Sequence, residues 1–105
     1  MNNIFDNTKV SGSEEELFIQ LFKNENCIIE KIISTGQSTK DGEWLSGERD
    51  EWVILLQGLS EIKFYDGKIY KMKPGDYLLI PSNTMHRVES TSTDPSCIWL
   101  AVHII

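Results

Sequence analysis

The chain has 105 residues, with ten Lys plus Arg against sixteen Asp plus Glu, and is 40% hydrophobic. That length supports one domain, and a net charge of −6 leaves no basic stripe to neutralise a phosphate backbone, which argues against nucleic-acid binding. No apolar run approaches the roughly 20 residues of a membrane span. The opening Met1-Asn2-Asn3-Ile4-Phe5-Asp6 lacks the regions of a secretion signal, so the expectation is a cytoplasmic protein with no membrane or nucleic-acid partner.

Residues 1–12 read as a polar lead-in segment and residues 13–105 as a single domain. Ser13-Glu14-Glu15-Glu16 has the form of a capping box, and Leu17, Phe18, Leu21 and Phe22 make one apolar stripe; a short helix over about residues 14–23 is expected. From Cys27 to Thr35 the chain turns to β-branched residues and stops at Gly36. Residues 36–50 are polar, with Asp41-Gly42 and Ser46-Gly47 as turns. Trp52 to Leu56 is a compact apolar strand closed by Gly58, and Glu61 to Tyr65 returns as Lys68 to Met72 through an Asp66-Gly67 hairpin. Pro74-Gly75 marks a turn before Tyr77 to Ile80, and Met85 to Thr91 and Cys97 to Ile105 complete the set. About six to eight short strands with tight turns and no βαβ alternation imply an all-β fold, an antiparallel sandwich or small barrel with one leading helix. Cys27 and Cys97 each head an apolar run and read as reduced, buried thiols.

Two strands are apolar on both sides. Val53 and Leu55 alternate with Trp52, Ile54 and Leu56, and Trp99 and Ala101 alternate with Ile98, Leu100, Val102 and Ile104. A sheet with one side in water carries polar residues there. The second side therefore needs a cover: the helix stripe for part of it, and a second copy of the chain for the rest. A homodimer is expected.

Gly75-Asp76-Tyr77-Leu78-Leu79-Ile80-Pro81-Ser82-Asn83-Thr84-Met85-His86 resembles the second motif of the cupins, G-x5-P-x-G-x2-H-x3-N. Asn83 stands for the inner Gly and Ser90 for the final Asn; Asn tolerates a positive φ. Glu51, followed by six residues and Gly58, resembles the end of the first motif, G-x5-H-x-H-x3/4-E-x6-G. Asp50-Glu51-Trp52-Val53, His86-Arg87-Val88 and Trp99 to His103 are similar to short bacterial single-domain cupins. The resemblance implies a double-stranded β-helix (jelly roll) over residues 13–105 and a metal site built from two His and a Glu of the first motif and the His of the second. In this chain the His-x-His pair falls on Trp44 and Ser46, or on Leu45 and Gly47, none of which replaces an imidazole.

The family topology sets the strand of Glu51 against the last strand. The resemblance then implies that Glu51, His86 and His103 converge as a two-His, one-carboxylate set able to hold one divalent ion (Zn, Fe, Mn or Ni). The same residues also read as a plain Glu51–His86 hydrogen-bonded pair with His103 at a fraying strand end. Trp44, Glu51, Tyr77 and His86 are the expected ligand-pocket residues. Three functions stay open: a metal-assisted enzyme acting on a small polar substrate, a metal-free ligand-binding domain in which Glu51 and His86 supply the polar contacts or work as acid and base, and a structural domain with a filled barrel. The reaction and the ligand do not follow from the sequence.

Overall fold

The computed structural model describes residues 1–6 and 15–105. Eight strands follow in chain order: β1 (Leu17–Lys23), β2 (Cys27–Ser34), β3 (Asp50–Gln57), β4 (Ser60–Phe64), β5 (Ile69–Met72), β6 (Tyr77–Ile80), β7 (His86–Thr91) and β8 (Cys97–Ile104). They build a five-stranded sheet in the order β1-β2-β8-β3-β6 and a three-stranded sheet in the order β5-β4-β7. Every pairing between these strands is antiparallel. The chain changes sheet between β3 and β4, and again at β5–β6, β6–β7 and β7–β8, which rolls the two sheets into a small jelly-roll barrel.

Alternation along β3 and β8 decides what lies inside. Val53 opposes Ala101 and Leu55 opposes Trp99, and these four are buried with Ile62, Met72, Ile80 and Cys97 between the two sheets. Each such apolar side chain removed from water contributes about 1.5–3 kcal/mol if large, and less for Ala. The intervening residues Trp52 and Ile54 oppose Val102 and Leu100 on the outer side of the five-stranded sheet.

The helix expected over about residues 14–23 is not formed. Residues 17–23 are the edge strand β1, paired antiparallel to β2 from Leu17 opposite Ile33 to Lys23 opposite Ile28, with a register shift between Gln20 and Phe22. Ser13 and Glu14 of the expected cap lie outside the described residues. Tertiary pairing wins here because β2 offers an open row of backbone donors and acceptors, and Ile, Phe and Leu suit a pleated surface. The spacing itself is ambiguous: residues four apart, such as Leu17 and Leu21 or Phe18 and Phe22, share a side in a regular strand as well as in a helix. Phe18, Leu21 and Phe22 remain about half exposed, unlike the buried stripe of an amphipathic helix.

The turns expected at Asp41-Gly42, Asp66-Gly67 and Pro74-Gly75 are in place, whereas Ser46-Gly47 runs on without a turn after the Leu45 bridge. Gly67, with φ +95°, lies in the β4–β5 hairpin, where Phe64 N–H donates to the Lys68 carbonyl at 2.9 Å. Asn83 adopts φ +57°, the conformation for which Asn is a tolerable stand-in for Gly. At the start of the chain, the Asp6 carbonyl accepts a 2.7 Å hydrogen bond from Lys31 Nζ, which ties the lead-in to β2. Both cysteines are free, Cys97 buried and Cys27 half-buried. Among the described residues no helix is long and apolar enough to cross a membrane.

Gly58 and Gly75 separate steric crowding from backbone strain. Both have positive φ, but a Cβ at Gly58 would stand 2.8 Å from Cys97 Sγ and 2.9 Å from Cys97 Cα, whereas one at Gly75 meets nothing within 4 Å. Gly75→Ala is expected to cost about 1 kcal/mol, from the backbone alone, and Gly58→Ala about 3 kcal/mol or more. Urea unfolding midpoints of the two variants check this; equal losses would remove the steric distinction.

Candidate functional site

Four strands and one loop meet at one end of the barrel. Glu51, near the start of β3, lies directly opposite His103 on β8 and opposite Ile80 on β6, so all three share the inner side. His86 opens β7 in the other sheet and opposes Phe64 of β4. The loop before β3 closes over it: Leu45 N–H donates to the His86 carbonyl at 2.7 Å, and His86 N–H donates back to the Leu45 carbonyl at 3.0 Å. Between these elements is a cavity of about 400 Å³, lined by Glu51, His86, His103 and Ile80 together with the loop residues Leu45 to Arg49 and Pro81.

Hydrogen-bond partners fix both imidazole rings. His86 Nδ1 is 3.0 Å from the Thr84 carbonyl oxygen, which can only accept, so Nδ1 carries the proton and Nε2 is left with its lone pair in the neutral ring. His103 Nε2 is 2.7 Å from Glu30 Oε1. That carboxylate likewise accepts, and His103 Nδ1 is turned to Glu51, 3.9 Å from its Oε1. Glu30 of β2 reaches the site because it opposes Ala101 and so projects to the same side as His103. A ring held by a carboxylate at one nitrogen and presenting the other to a cavity is oriented for proton exchange or ligand contact.

Burial raises the pKa of Glu51 above the ordinary carboxylate value; the nearby His103 and His86 oppose the shift, and Glu30 adds to it. Desolvation is the larger effect, so Glu51 holds its proton to higher pH than a carboxylate in water. At one end of the barrel the chain therefore gathers a proton-retaining carboxyl, two oriented imidazoles and a second carboxylate.

The two remaining expected pocket residues lie elsewhere. Trp44 does not line the cavity: its ring packs edge-on against Tyr65 at 5.0 Å between centroids, with the Arg87 guanidinium carbon 5.9 Å from its own centroid. The residues after it, Leu45, Ser46 and Gly47, form the wall instead, because the Leu45–His86 bridge turns that stretch inward. Tyr77 does not line it either. It opposes Ile54 on the outer side of the sheet, is 68% exposed, and rests against Trp52 at 5.6 Å between ring centroids. The inward positions of β6 are Leu78 and Ile80. Glu30 was not among the expected site residues; its even spacing from Ile28 and Ile32 in a strand run against the last one was the available signal.

Arg87 holds the pocket wall from behind. It projects away from His86 and is buried under the loop, where its guanidinium donates to the carbonyls of Thr39 at 2.9 Å, Glu43 at 3.3 Å and Lys40 at 3.4 Å. Its Nε stands 3.0 Å from Glu89 Oε1.

A cupin-type metal does not fit these donors as they stand. Two of the four ligand positions in the family motif hold side chains without a donor nitrogen, and among the described residues no group of three or more His, Cys, Asp or Glu is gathered closely enough to hold an ion. A useful site needs at least three protein ligands around one point.

The comparisons with known proteins agree with this architecture. The chain aligns over 99% of its length, at 35% identity and a TM-score of 0.92, with 96% of a Ralstonia eutropha JMP134 protein described as a "putative mannose-6-phosphate isomerase". A cupin superfamily protein of Desulfitobacterium hafniense DCB-2 is 19% identical, with a TM-score of 0.74 over 92% of this chain and 84% of that one, which shows the fold alone. Over 47 residues, 45% of the chain, it is 32% identical to the RCS-specific HTH-type transcriptional activator RclR of Escherichia coli K12, and it spans 16% of that protein's length. The family model for the cupin domain, Cupin_2, matches residues 33–103; the chain belongs to this cupin family.

Proposed function

We propose that this cupin domain binds one small hydroxylated molecule in the Glu51 cavity and exchanges a proton with it, without a resident metal ion. One observation carries the reading: Glu51, His86 and His103, from three strands far apart in sequence, line one cavity of about 400 Å³, within the roughly 300–1,000 Å³ usual for small-molecule sites. A protonated Glu51 donates where the ligand has an oxygen lone pair. His86 Nε2 accepts where the ligand has a hydroxyl, and His103, held by Glu30, takes up or returns the Glu51 proton. Such a pair, a carboxyl that burial makes slower to ionise and an imidazole with a free lone pair, supports general acid–base chemistry.

The description of the Ralstonia protein favours a sugar phosphate as the first ligand to test, and Arg49 on the cavity wall supplies a cation for the phosphate. Aldose–ketose exchange moves a proton between neighbouring carbons, which is work for an acid and a base. The alternative is a ligand sensor without turnover. It is favoured by the likeness to RclR, a transcriptional activator.

Calorimetric titration with mannose 6-phosphate tests the site. Saturable binding is expected, weakened about tenfold or more in His86→Ala by the loss of one buried hydrogen bond; no binding, or equal binding by the variant, overturns the assignment. Aldose–ketose conversion in the same samples separates enzyme from sensor. Elemental analysis of protein purified without added metal is expected to show none in stoichiometric amount, and a stoichiometric ion lost in His86→Ala would instead establish Glu51, His86 and His103 as its ligands.

The raised pKa of Glu51 gives a second test. A carboxyl whose folded value lies above its unfolded value of 4.5 contributes fully to stability below that pH, and the contribution is lost as the pH rises through the folded value and charge must be buried. Glu51→Gln stays neutral throughout. Its thermal midpoint relative to wild type is expected to rise from about pH 4 to about pH 8. Burial pushes Glu16 up as well, so part of the wild-type pH dependence persists in the variant. A variant that loses ground as the pH rises would show that the imidazoles, rather than desolvation, govern Glu51.

A further inference from the structure

We propose that Lys31, where the first residues of the chain cross β1 and β2, is the centre of a second ligand site, for a small carboxylate with a short apolar body. The register sets Lys31 between Ile19 on β1 and Leu100 on β8, and its neighbours on that side of β2 are Ile29 and Ile33. A lysine in so apolar a setting breaks the pattern of the sheet, and such breaks gather at functional sites. Lys31 is only 4% exposed. Its Nζ donates to the Asp6 carbonyl at 2.7 Å. Among the described residues it makes no other hydrogen bond and no ion pair. An ammonium carries three N–H donors, so two are left without an acceptor. A buried charge in this condition calls for a counter-charge, which the protein itself does not supply.

The space for a counter-charge is present. A cavity of about 530 Å³ is lined on the sheet by Lys31, Ile19 and Leu21, and on the lead-in by Asn3, Ile4 and Asp6. That volume lies within the roughly 300–1,000 Å³ usual for small-molecule sites. Asn3 Oδ1 already accepts from the Phe5 N–H at 2.8 Å, so the group Asn3 has left to offer is its NH2, a donor. One ammonium, one amide donor and an aliphatic wall select the ligand class. A single carboxylate takes up the spare N–H donors in charge-assisted hydrogen bonds, and a short branched chain covers Ile4, Ile19 and Leu21. A phosphate or a dicarboxylate brings a second negative charge, which finds no second cation in this lining and meets Asp6 instead. A neutral apolar molecule leaves the ammonium unpaired. Lys31 projects to the side of the sheet opposite Glu51, so the site is separate from the Glu51 cavity and does not rest on the function proposed for it.

Amide NMR shifts of the full chain during titration with isocaproate, a branched aliphatic carboxylate, test this. Saturable shifts centred on Ile19, Leu21 and Lys31 are expected. The alcohol of the same carbon skeleton is expected to bind about tenfold more weakly or worse, because it brings no charge. Lys31→Met keeps the apolar stem, removes the ammonium, and is expected to lose about tenfold or more in affinity for isocaproate. Leu21→Glu places a like charge on the apolar wall at a position 49% exposed; an equal loss is expected, and this variant carries the test should Lys31→Met fail to fold. Absence of binding, equal binding of the alcohol, or shifts centred on Glu51 and His103 overturns the proposal. So does undiminished binding by either folded variant, which would leave Lys31 as a tether for the lead-in alone.

Discussion

The register between β3 and β8 governs this molecule. Placing Glu51 opposite His103 commits the residues paired from there to Leu55 and Trp99 to one side or the other. Val53, Leu55, Trp99 and Ala101 then fill the barrel, while Trp52, Ile54, Leu100 and Val102 are turned out. A slip of one residue would expose the first set and bury the second, and would carry the carboxyl and the imidazole out of the cavity. Core, pocket and outer surface are therefore three results of one pairing, and cannot be varied independently at these positions.

The pocket illustrates how a shared architecture is given different chemistry. The family's motif spacing is kept at Glu51 and His86, and the strand ends that carry them are positioned by main-chain pairing. The loop that would supply two more imidazoles supplies Leu45 and Gly47 instead. Burial raises the pKa of Glu51. A divalent ion beside the same carboxyl would act in the opposite direction and lower it.

Much of this was legible in the sequence, for reasons that differ by residue. Strands such as Cys27 to Ser34 and Tyr77 to Ile80 are bounded by Gly, Pro and Asn, whose backbone preferences act locally and need no knowledge of the rest of the chain. The meeting of Glu51, His86 and His103 in one cavity was reachable only through the cupin resemblance, which supplied the strand pairing. Residues 17–23 misled because a strand and an amphipathic helix both bring residues four apart to one side, and only the open edge of β2 decides between them. Tyr77 was misassigned through parity, since Leu78 and Ile80, not Tyr77, share the side of Glu51. Trp44 was misassigned because a motif position fixes where a residue stands in the chain, while the Leu45–His86 bridge decides which way the neighbouring side chains turn. Glu30 escaped notice because its role depends on a third strand coming to lie beside β8.

Arg87 carries a consequence for how such a domain diversifies. Its guanidinium grips the loop through the carbonyl oxygens of Thr39, Lys40 and Glu43, groups that every amino acid possesses. The anchor is therefore indifferent to which side chains the loop displays, and residues 45–49 can be exchanged while their supporting backbone stays clamped. Selectivity for a new ligand is open to change at that rim by single substitutions, with the scaffold and the buried carboxyl–imidazole group inherited intact.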